Sequence, residues 1–180
     1  MGTIVVVPLP GGEPPALAPL APEVEAVLHR PVRVVEPLRN VDVAYDPSRD
    51  QYNSRRLLDL LRAMLPAGAE RLLGVTNLDL FVPVLTFVFG EAQLQGPVAV
   101  VSTFRLDNRF YGLEEDGGLL QARLVKEAVH ELGHTYGLLH CYDPLCVMCS
   151  STYVEQIDLK RKSFCMDCAP ELLAPSVLPS

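Results

Sequence analysis

The sequence predicts an α/β fold in which a twisted, mostly parallel sheet has one antiparallel edge strand and is backed by helices. Short, β-branched apolar runs alternate with helical segments over the N-terminal half, and a long amphipathic segment follows them. The remaining piece contains all the cysteines and few periodic elements, which predicts a small irregular C-terminal subdomain. Strands separated by helices are expected to run parallel. The 180 residues, 49% of them hydrophobic, suffice for one buried core.

The first strand is predicted over Thr3–Pro8, a continuously apolar, β-branched run of the kind that is buried on both faces of a sheet. A proline-rich connection, Pro10–Pro22, joins it to a short helix over Pro22–His29. That helix begins at a proline and has acidic residues in its first turn, two features typical of helix N-termini. Val32–Val35 is expected to form the second strand.

A polar, turn-rich stretch, Asn40–Asn53, is expected to be a loop between the second strand and the next helix. Its last residue, followed by a serine, is placed to cap that helix. The helix itself is predicted over Ser54–Leu65, because the segment is amphipathic and is stopped by Pro66.

Three further strands are predicted over Arg71–Val75, Val84–Phe89 and Val98–Thr103. Gly90 and Gly96 mark turns between and around the last two of these strands. Because that pair lies close together in the sequence, it is expected to be antiparallel and to supply the edge of the sheet.

The longest helix is predicted over Gly117–Tyr136, with Asp116 as its cap, after a polar loop. An apolar stripe docks this helix on the sheet. The stripe consists of Leu120, Leu124, Val125, Ala128, Val129 and Leu132. Tyr153–Lys162 is a candidate for a further helix. We expect an N-terminal α/β subdomain over 1–137, which ends in the long helix, and a C-terminal subdomain over 138–180.

The long helix carries the stretch HELGHTYGLLH, which fits the pattern H-E-x-x-H-x-x-G-x-x-H from His130 to His140. Residues four apart share a helix face, so His130 and His134 point at one place and can bind one metal ion at about 2.0 Å each. Gly137 tolerates the left-handed conformation that ends a helix, and the chain can then bring His140 back as the third nitrogen ligand. Glu131 is placed to reach metal-bound water as a general base. A fourth coordination position left open is typical of a catalytic zinc site.

Charge and hydropathy exclude two classes of function. The formal net charge is −7 and there is no cluster of Lys and Arg, which argues against a nucleic-acid-binding groove. No apolar run reaches ~18 residues, so no membrane span is expected. The apolar N-terminus has no basic segment before it, so we interpret it as a strand and not as a signal peptide. The expected location is the cytoplasm.

Five cysteines, Cys141, Cys146, Cys149, Cys165 and Cys168, all follow the histidine motif. In a protein without a secretion signal, such clustering indicates a metal site more often than disulfides. Cys165 and Cys168 form a C-x-x-C pair, the spacing at which two thiolates bind one zinc ion. Either Cys146 and Cys149 or Cys141 and Cys146 can complete the site, and spacing alone slightly favours the first pair. A redox-active dithiol is the remaining alternative.

Together these residues resemble the metzincin clan of zinc peptidases, in which a methionine-containing turn follows the third histidine. Met148 lies where that turn is expected. The cysteine directly after His140, the next one five residues later and the distal C-x-x-C pair resemble the archaemetzincins, which add a four-cysteine zinc site. The resemblance implies that the four cysteines of this second, structural zinc site are Cys141, Cys146, Cys165 and Cys168. It leaves Cys149 without a role.

The resulting hypothesis is a zinc metallopeptidase that binds two Zn²⁺ ions per chain, one catalytic and one structural. Glu131 is expected to act as the general base on a zinc-activated water, and peptides or proteins are the expected substrates. Val84–Phe89, or else Val98–Thr103, is expected to form the sheet edge that holds the substrate. We expect a monomer that binds neither nucleic acid nor membranes. The alternative is a catalytically silent zinc-binding regulatory or interaction protein.

Overall fold

A five-stranded sheet forms the centre of the computed structural model, which describes residues 2–11 and 17–173, and the side chains as far as 170. Its strands are β1 (Thr3–Pro8), β2 (Val32–Val34), β5 (Ala69–Thr76), β7 (Gly90–Ala92) and β8 (Val98–Ser102). Four of them are parallel, and the fifth, β7, runs antiparallel at one edge, in the order β2-β1-β5-β8-β7. The predicted α/β fold with a mostly parallel sheet and one antiparallel edge strand is confirmed.

Both faces of the sheet are covered, which explains the continuously apolar sequence of β1. Ile4 and Val6 point to one face and pack with α1 (Leu20–Leu28) and α3 (Gly117–Thr135). Val5 and Val7 point to the other face and pack with α2 (Ser54–Ala63). The alternation of side chains along a strand therefore places successive residues of β1 in two separate cores.

The ends of α1, α2 and α3 agree with the sequence-based expectations to within two residues, whereas the candidate helix Tyr153–Lys162 is shorter and spans only Val154–Leu159. The side chain of Asn53 caps α2 by accepting from the backbone N–H groups of Arg55 and Arg56. Asp116 caps α3 in the same way by accepting from the N–H of Leu119. The first helix, α1, begins at Leu20 and so extends the predicted Pro22 start by two residues.

The sequence indicates a turn-rich loop over Asn40–Asn53, but the structure shows that only part of this stretch is a loop. It contains a 3₁₀ turn and two short antiparallel strands, β3 (Tyr45–Asp46) and β4 (Gln51–Asn53). β4 pairs in parallel with β6 (Leu80–Phe81), which gives a second, three-stranded sheet. Strands of two or three residues are too short to show a hydrophobic period, so no sequence pattern predicted this small sheet.

The prediction of a strand over Val84–Phe89 is wrong. Pro83 lies inside a turn that is closed by a hydrogen bond from the N–H of Leu85 to the carbonyl of Val82, at 3.0 Å, and Val84 is largely exposed. The antiparallel edge strand is instead β7, which begins at Gly90. Val98–Thr103 also cannot serve as the edge, because β8 lies between β5 and β7.

The region after α3 contains two short helices, α4 (Val154–Leu159) and α5 (Cys168–Leu173). Its apolar side chains share the core formed by α1, α3 and the sheet. These side chains are Leu138, Cys146, Val147, Met148, Val154 and Ile157. The division into subdomains 1–137 and 138–180 stays a prediction. The structure does not describe residues 12–16, which belong to the proline-rich connection, or residues 174–180. None of the helices described combines the length and apolar composition that a membrane crossing requires.

Candidate active site

Three histidine rings converge at the C-terminal end of α3. The ring centroids of His130 and His134 are 4.7 Å apart. The centroid of the His140 ring lies 5.4 Å from that of His130 and 4.9 Å from that of His134. One ligand atom from each ring lies within 4.8 Å of the others. The sequence motif therefore corresponds to a compact group of three imidazoles, as its spacing predicted.

Two backbone carbonyls orient the first two rings. Nδ1 of His130 lies 2.8 Å from the carbonyl of Val147, and Nδ1 of His134 lies 2.7 Å from that of Leu138. A carbonyl can only accept, so each Nδ1 carries the proton and each Nε2 keeps its lone pair. Burial lowers the pKa of His130 well below its usual range and also lowers that of His134. Both rings are thus neutral, which is the form that binds metal.

The turn after the helix depends on Gly137. Its φ of 98° is in the left-handed region, and its N–H donates to the carbonyl of His134. The same carbonyl accepts from the N–H of Gln95, in the turn between β7 and β8, at 3.0 Å. The helix end is thereby fixed to the sheet, and the chain reverses to bring His140 to the other two rings.

Glu131 is a buried carboxylate with no hydrogen-bond partner among the residues described. Burial raises its pKa well above the usual range, and the nearby carboxylates of Glu127 and Glu91 add to the effect. Its side chain passes Gly90 so closely that a Cβ there would lie 2.7 Å from Cγ of Glu131. The site therefore holds an acid with an elevated pKa and unpaired oxygens beside the histidines.

A second group lies on the far side of the turn, where four cysteines bring their sulfur atoms within 4.8 Å of one another. They are Cys141, Cys146, Cys165 and Cys168. All of them are free thiols, and Cys149 lies outside the group. Of the two pairings that spacing left open, the structure brings together the one that the family resemblance implied. A backbone N–H from Cys168 contributes most to lowering the pKa of Cys165, to about 7.

Both groups fit zinc. Two nitrogens bound tetrahedrally at about 2.0 Å should be roughly 3.3 Å apart, and two sulfurs bound at about 2.3 Å roughly 3.8 Å apart. The Nε2 atoms of His130 and His134 are separated by 3.1 Å, and the Sγ atoms of Cys141 and Cys165 by 3.8 Å. The three imidazoles leave a position free, whereas four thiolates complete a closed site.

The turn that contains Met148 connects the two groups. Met148 is fully buried against Gly133, where an added Cβ would lie 2.5 Å from its Sδ. Its carbonyl accepts from the N–H of Cys141 at 2.9 Å, while the preceding carbonyl, that of Val147, is the partner of His130. A single short turn thus contacts the helix, the histidine group and the cysteine group.

Two cavities, each of about 360 Å³, adjoin the histidines. Both are bordered by His130, Glu131 and His140. The first is otherwise lined by residues 85–90, by Glu127 and by residues 150–152, and the second mainly by β7, Leu94 and Leu139.

Comparison with known proteins decides the family. The model of peptidase family M54 matches residues 26–174. The archaemetzincin of Methanocaldococcus jannaschii is 41% identical over 76% of both chains, and that of Methanopyrus kandleri is 48% identical over 72% of this chain and 70% of its own. The chain belongs to peptidase family M54, the archaemetzincins. It is a zinc metallopeptidase, and the predicted family is confirmed.

Solved structures agree with this assignment. The crystal structure of the Methanopyrus kandleri archaemetzincin matches with a TM-score of 0.84 and 38% identity, and the match covers 96% of this chain and 93% of that one. A zinc-dependent peptidase from Methanocorpusculum labreanum gives 0.82 and 34%, over 95% and 100% of the two chains. The archaemetzincin fold therefore extends over nearly the whole of this chain.

Sequence reasoning missed three residues at the archaemetzincin site: Gly90, Glu127 and Lys160. Lys160 is buried and its Nζ donates to Oε1 of Glu127 at 3.2 Å. Glu127 gave one usable signal, since it lies four residues before Glu131 and thus on the same helix face. Gly90 and Lys160 gave none, because their roles depend on contacts between residues far apart in the sequence.

Proposed function

We propose that this archaemetzincin hydrolyses peptide bonds at a zinc ion bound by His130, His134 and His140, with Glu131 as the general base. The observation that carries the proposal is the pair of Nε2 atoms 3.1 Å apart beside a buried, unpaired carboxylate. A purely structural or regulatory zinc site has no use for that carboxylate. The catalytically silent alternative is therefore not favoured.

Zinc bound at this position supplies Lewis-acid chemistry, because it lowers the pKa of water towards ~7 and polarises the scissile carbonyl. Glu131 removes the proton from the attacking water and then passes it to the leaving amine. Its raised pKa brings the carboxyl closer to the operating pH, which favours both transfers. The carbonyls of Val147 and Leu138 hold two imidazole rings in the tautomer that leaves Nε2 free.

The substrate is proposed to bind as an extended peptide along β7. Pairing with β8 uses the backbone groups of Phe89 and Gln93, so by alternation those of Gly90 and Ala92 point away from the sheet. Beyond this short edge, the N–H of Val88 is already paired with a carbonyl of β6. The free edge therefore lies directly beside the histidines, where a peptide can add as a further strand.

The second zinc is proposed to be structural and bound by Cys141, Cys146, Cys165 and Cys168, which gives two ions per chain. The sulfur spacing supports this count. A closed four-thiolate site contributes its binding free energy to folding. That the protein is a cytoplasmic monomer which binds no nucleic acid stays a proposal, supported for nucleic acid by the net charge of −7.

Glu131→Gln tests the general base. We expect kcat/KM on a mixture of peptides to fall by at least about a hundredfold, because proton transfer is lost, while the zinc content stays at the wild-type value. Glu114→Gln, an exposed acid outside the site, is the matched control. Activity that survives in Glu131→Gln, with zinc still bound, would contradict the mechanism.

Metal analysis of His134→Ala tests the ligand set. This variant is expected to lose one of the two zinc ions.

A further inference from the structure

The cavity bordered by residues 150–152, here called the polar cavity, is lined by both apolar and polar side chains. Phe87 and Phe89 give it apolar walls, and the two rings pack edge to face with their centroids 5.3 Å apart. Its polar lining residues, apart from those of the zinc site, include Glu127 and Ser151. A side chain that enters it must therefore have an apolar stem and a polar end.

Glu127 lines the polar cavity and has one carboxylate oxygen that is not paired. Its residue surface is 4% exposed, and its Oε1 accepts from Nζ of Lys160 at 3.2 Å. The other oxygen has no hydrogen-bond partner in the described part of the chain. Lys160 also donates to the carbonyls of Val147 and Cys149, at 3.4 and 3.0 Å, so the ammonium is fixed in place. The pair leaves an acceptor whose charge is already compensated.

Ser151 supplies a second unpaired group. Its Oγ is buried and has no hydrogen-bond partner within the residues described. A buried polar atom without a partner costs free energy that a ligand can recover by supplying the missing hydrogen bond. The hydroxyl can donate, whereas the free oxygen of Glu127 can only accept while the carboxyl is ionised.

A primary amide is the side-chain group that matches both. Its NH₂ donates to Glu127 and its carbonyl accepts from Ser151, without adding charge to the buried ion pair. A lysine or arginine side chain would bring a second positive charge to Glu127, which already compensates Lys160, and a glutamate would meet the carboxylate of Glu127. A leucine would leave both polar groups unpaired.

We propose that the polar cavity selects a substrate residue that ends in a primary amide, glutamine above asparagine, at one of the two positions flanking the scissile bond. The proposal rests on the proposed peptidase function and adds the substrate class to it. Glutamine has two methylenes that can lie along Phe87 and Phe89 and is the longer of the two amides. The second cavity, with Ala92, Leu94 and Leu139 among its lining residues, is expected to accept apolar side chains.

The zinc-loaded protein is incubated with a peptide library in which both positions flanking the scissile bond vary, and the cleaved bonds are identified by mass spectrometry. Matched peptides with Gln, Asn, Leu, Glu or Lys at the selected position then give kcat/KM values. We expect Gln to exceed Leu and Glu by about tenfold or more, because two hydrogen bonds distinguish them. Ser151→Ala is expected to reduce this ratio several-fold, because the amide of the Gln peptide loses one of its two hydrogen bonds.

The double substitution Glu127→Leu with Lys160→Met removes the ion pair as a unit, a change that is often tolerated because no buried charge is left behind. It is expected to reverse the order, so that Leu exceeds Gln, while zinc content and the melting temperature are measured as controls for folding. Cleavage without an amide preference, or a preference unchanged in Ser151→Ala, overturns this inference alone. If no peptide is cleaved in a reaction that a chelator abolishes, the peptidase proposal and the inference are both overturned.

Discussion

Gly90 leaves the space through which the side chain of Glu131 reaches the histidines. An alanine at position 90 would place its Cβ 2.7 Å from Cγ of Glu131 and 2.7 Å from the carbonyl oxygen of Val100. Both the base and the edge strand must then shift, and a displacement of about 1 Å can cost a hundredfold in rate. For Gly90→Ala we therefore expect kcat to fall by roughly a hundredfold while zinc content is retained. Steady-state kinetics with metal analysis on the same samples provides the measurement.

The matched control is Gly117→Ala, at the first position of α3, where an added Cβ meets nothing within 4 Å. Activity should remain at the wild-type level, and the melting temperature should be unchanged or slightly higher because alanine restricts the unfolded chain. If Gly90→Ala retains wild-type kcat, Glu131 does not depend on this close contact. The position of the base would then have to be explained by other neighbours.

Among the site residues, the sequence predicted those whose relative positions are determined by residues close to them in the chain. His130 and His134 share a helix face whatever the rest of the fold does, so their spacing alone placed them together. The cysteines were different, because spacing slightly favoured the pairing with Cys149, and only the family resemblance indicated Cys141. The N–H of Cys141 is bonded to the carbonyl of Met148, a contact that joins two segments and leaves no trace in either one alone.

Elements show the same division between local and non-local information. β1, α2 and α3 carry their own hydrophobic patterns and caps, and they were predicted to within one or two residues at most ends. The apolar run Val84–Phe89 predicts a strand that the structure does not contain, because Pro83 places the start of the run in a turn. β7 could not be predicted, since its three half-buried residues form a strand only because β8 offers a partner.

The C-terminal end of α3 is held by Tyr136, whose ring faces the guanidinium of Arg71 at 4.2 Å and that of Arg30 at 5.9 Å. Burial, with a further contribution from Glu70, raises the pKa of Tyr136 to about 12. The unfolded chain titrates this group near ~10, so the native state retains a proton that the unfolded state has lost between those values. The free energy of unfolding should be unaffected below pH ~10 and should decrease as the pH rises towards 12.

Tyr136→Phe keeps the ring over the arginines and removes the titrating hydroxyl. Urea unfolding of the zinc-loaded protein at several pH values between 9 and 12 should show the wild type losing up to about 1 kcal/mol more per pH unit than Tyr136→Phe. Tyr142→Phe, which changes a fully exposed tyrosine, should follow the wild type. Wild-type and Tyr136→Phe curves that run parallel over this range would show that the hydroxyl does not titrate differently on folding.

Over the whole molecule, the two proposed zinc sites share one piece of backbone and are not independent modules. His140 and Cys141 are consecutive, and the turn from Cys146 to Met148 contacts both sites through the carbonyl of Val147 and the backbone of Cys141. The apolar side chains of this region lie in the same core as the sheet and α3. Loss of the cysteine site is therefore expected to alter the histidine site without any change in the histidines.

Cys165→Ser tests this coupling. Removing one thiolate should release the turn that positions His140 and orients His130, and roughly a 10- to 100-fold loss of zinc affinity at the histidine site is expected from such a loss of supporting contacts. Competition with a chelator, followed by metal analysis and by the chelator's absorbance, measures the affinity of each site. Cys149→Ser is the control, since this cysteine lies outside the four-thiol group and its loss should leave both affinities unchanged. Wild-type affinity at the histidines of a folded Cys165→Ser protein would show that the shared turn keeps its geometry without the second ion, and that the two sites bind zinc separately.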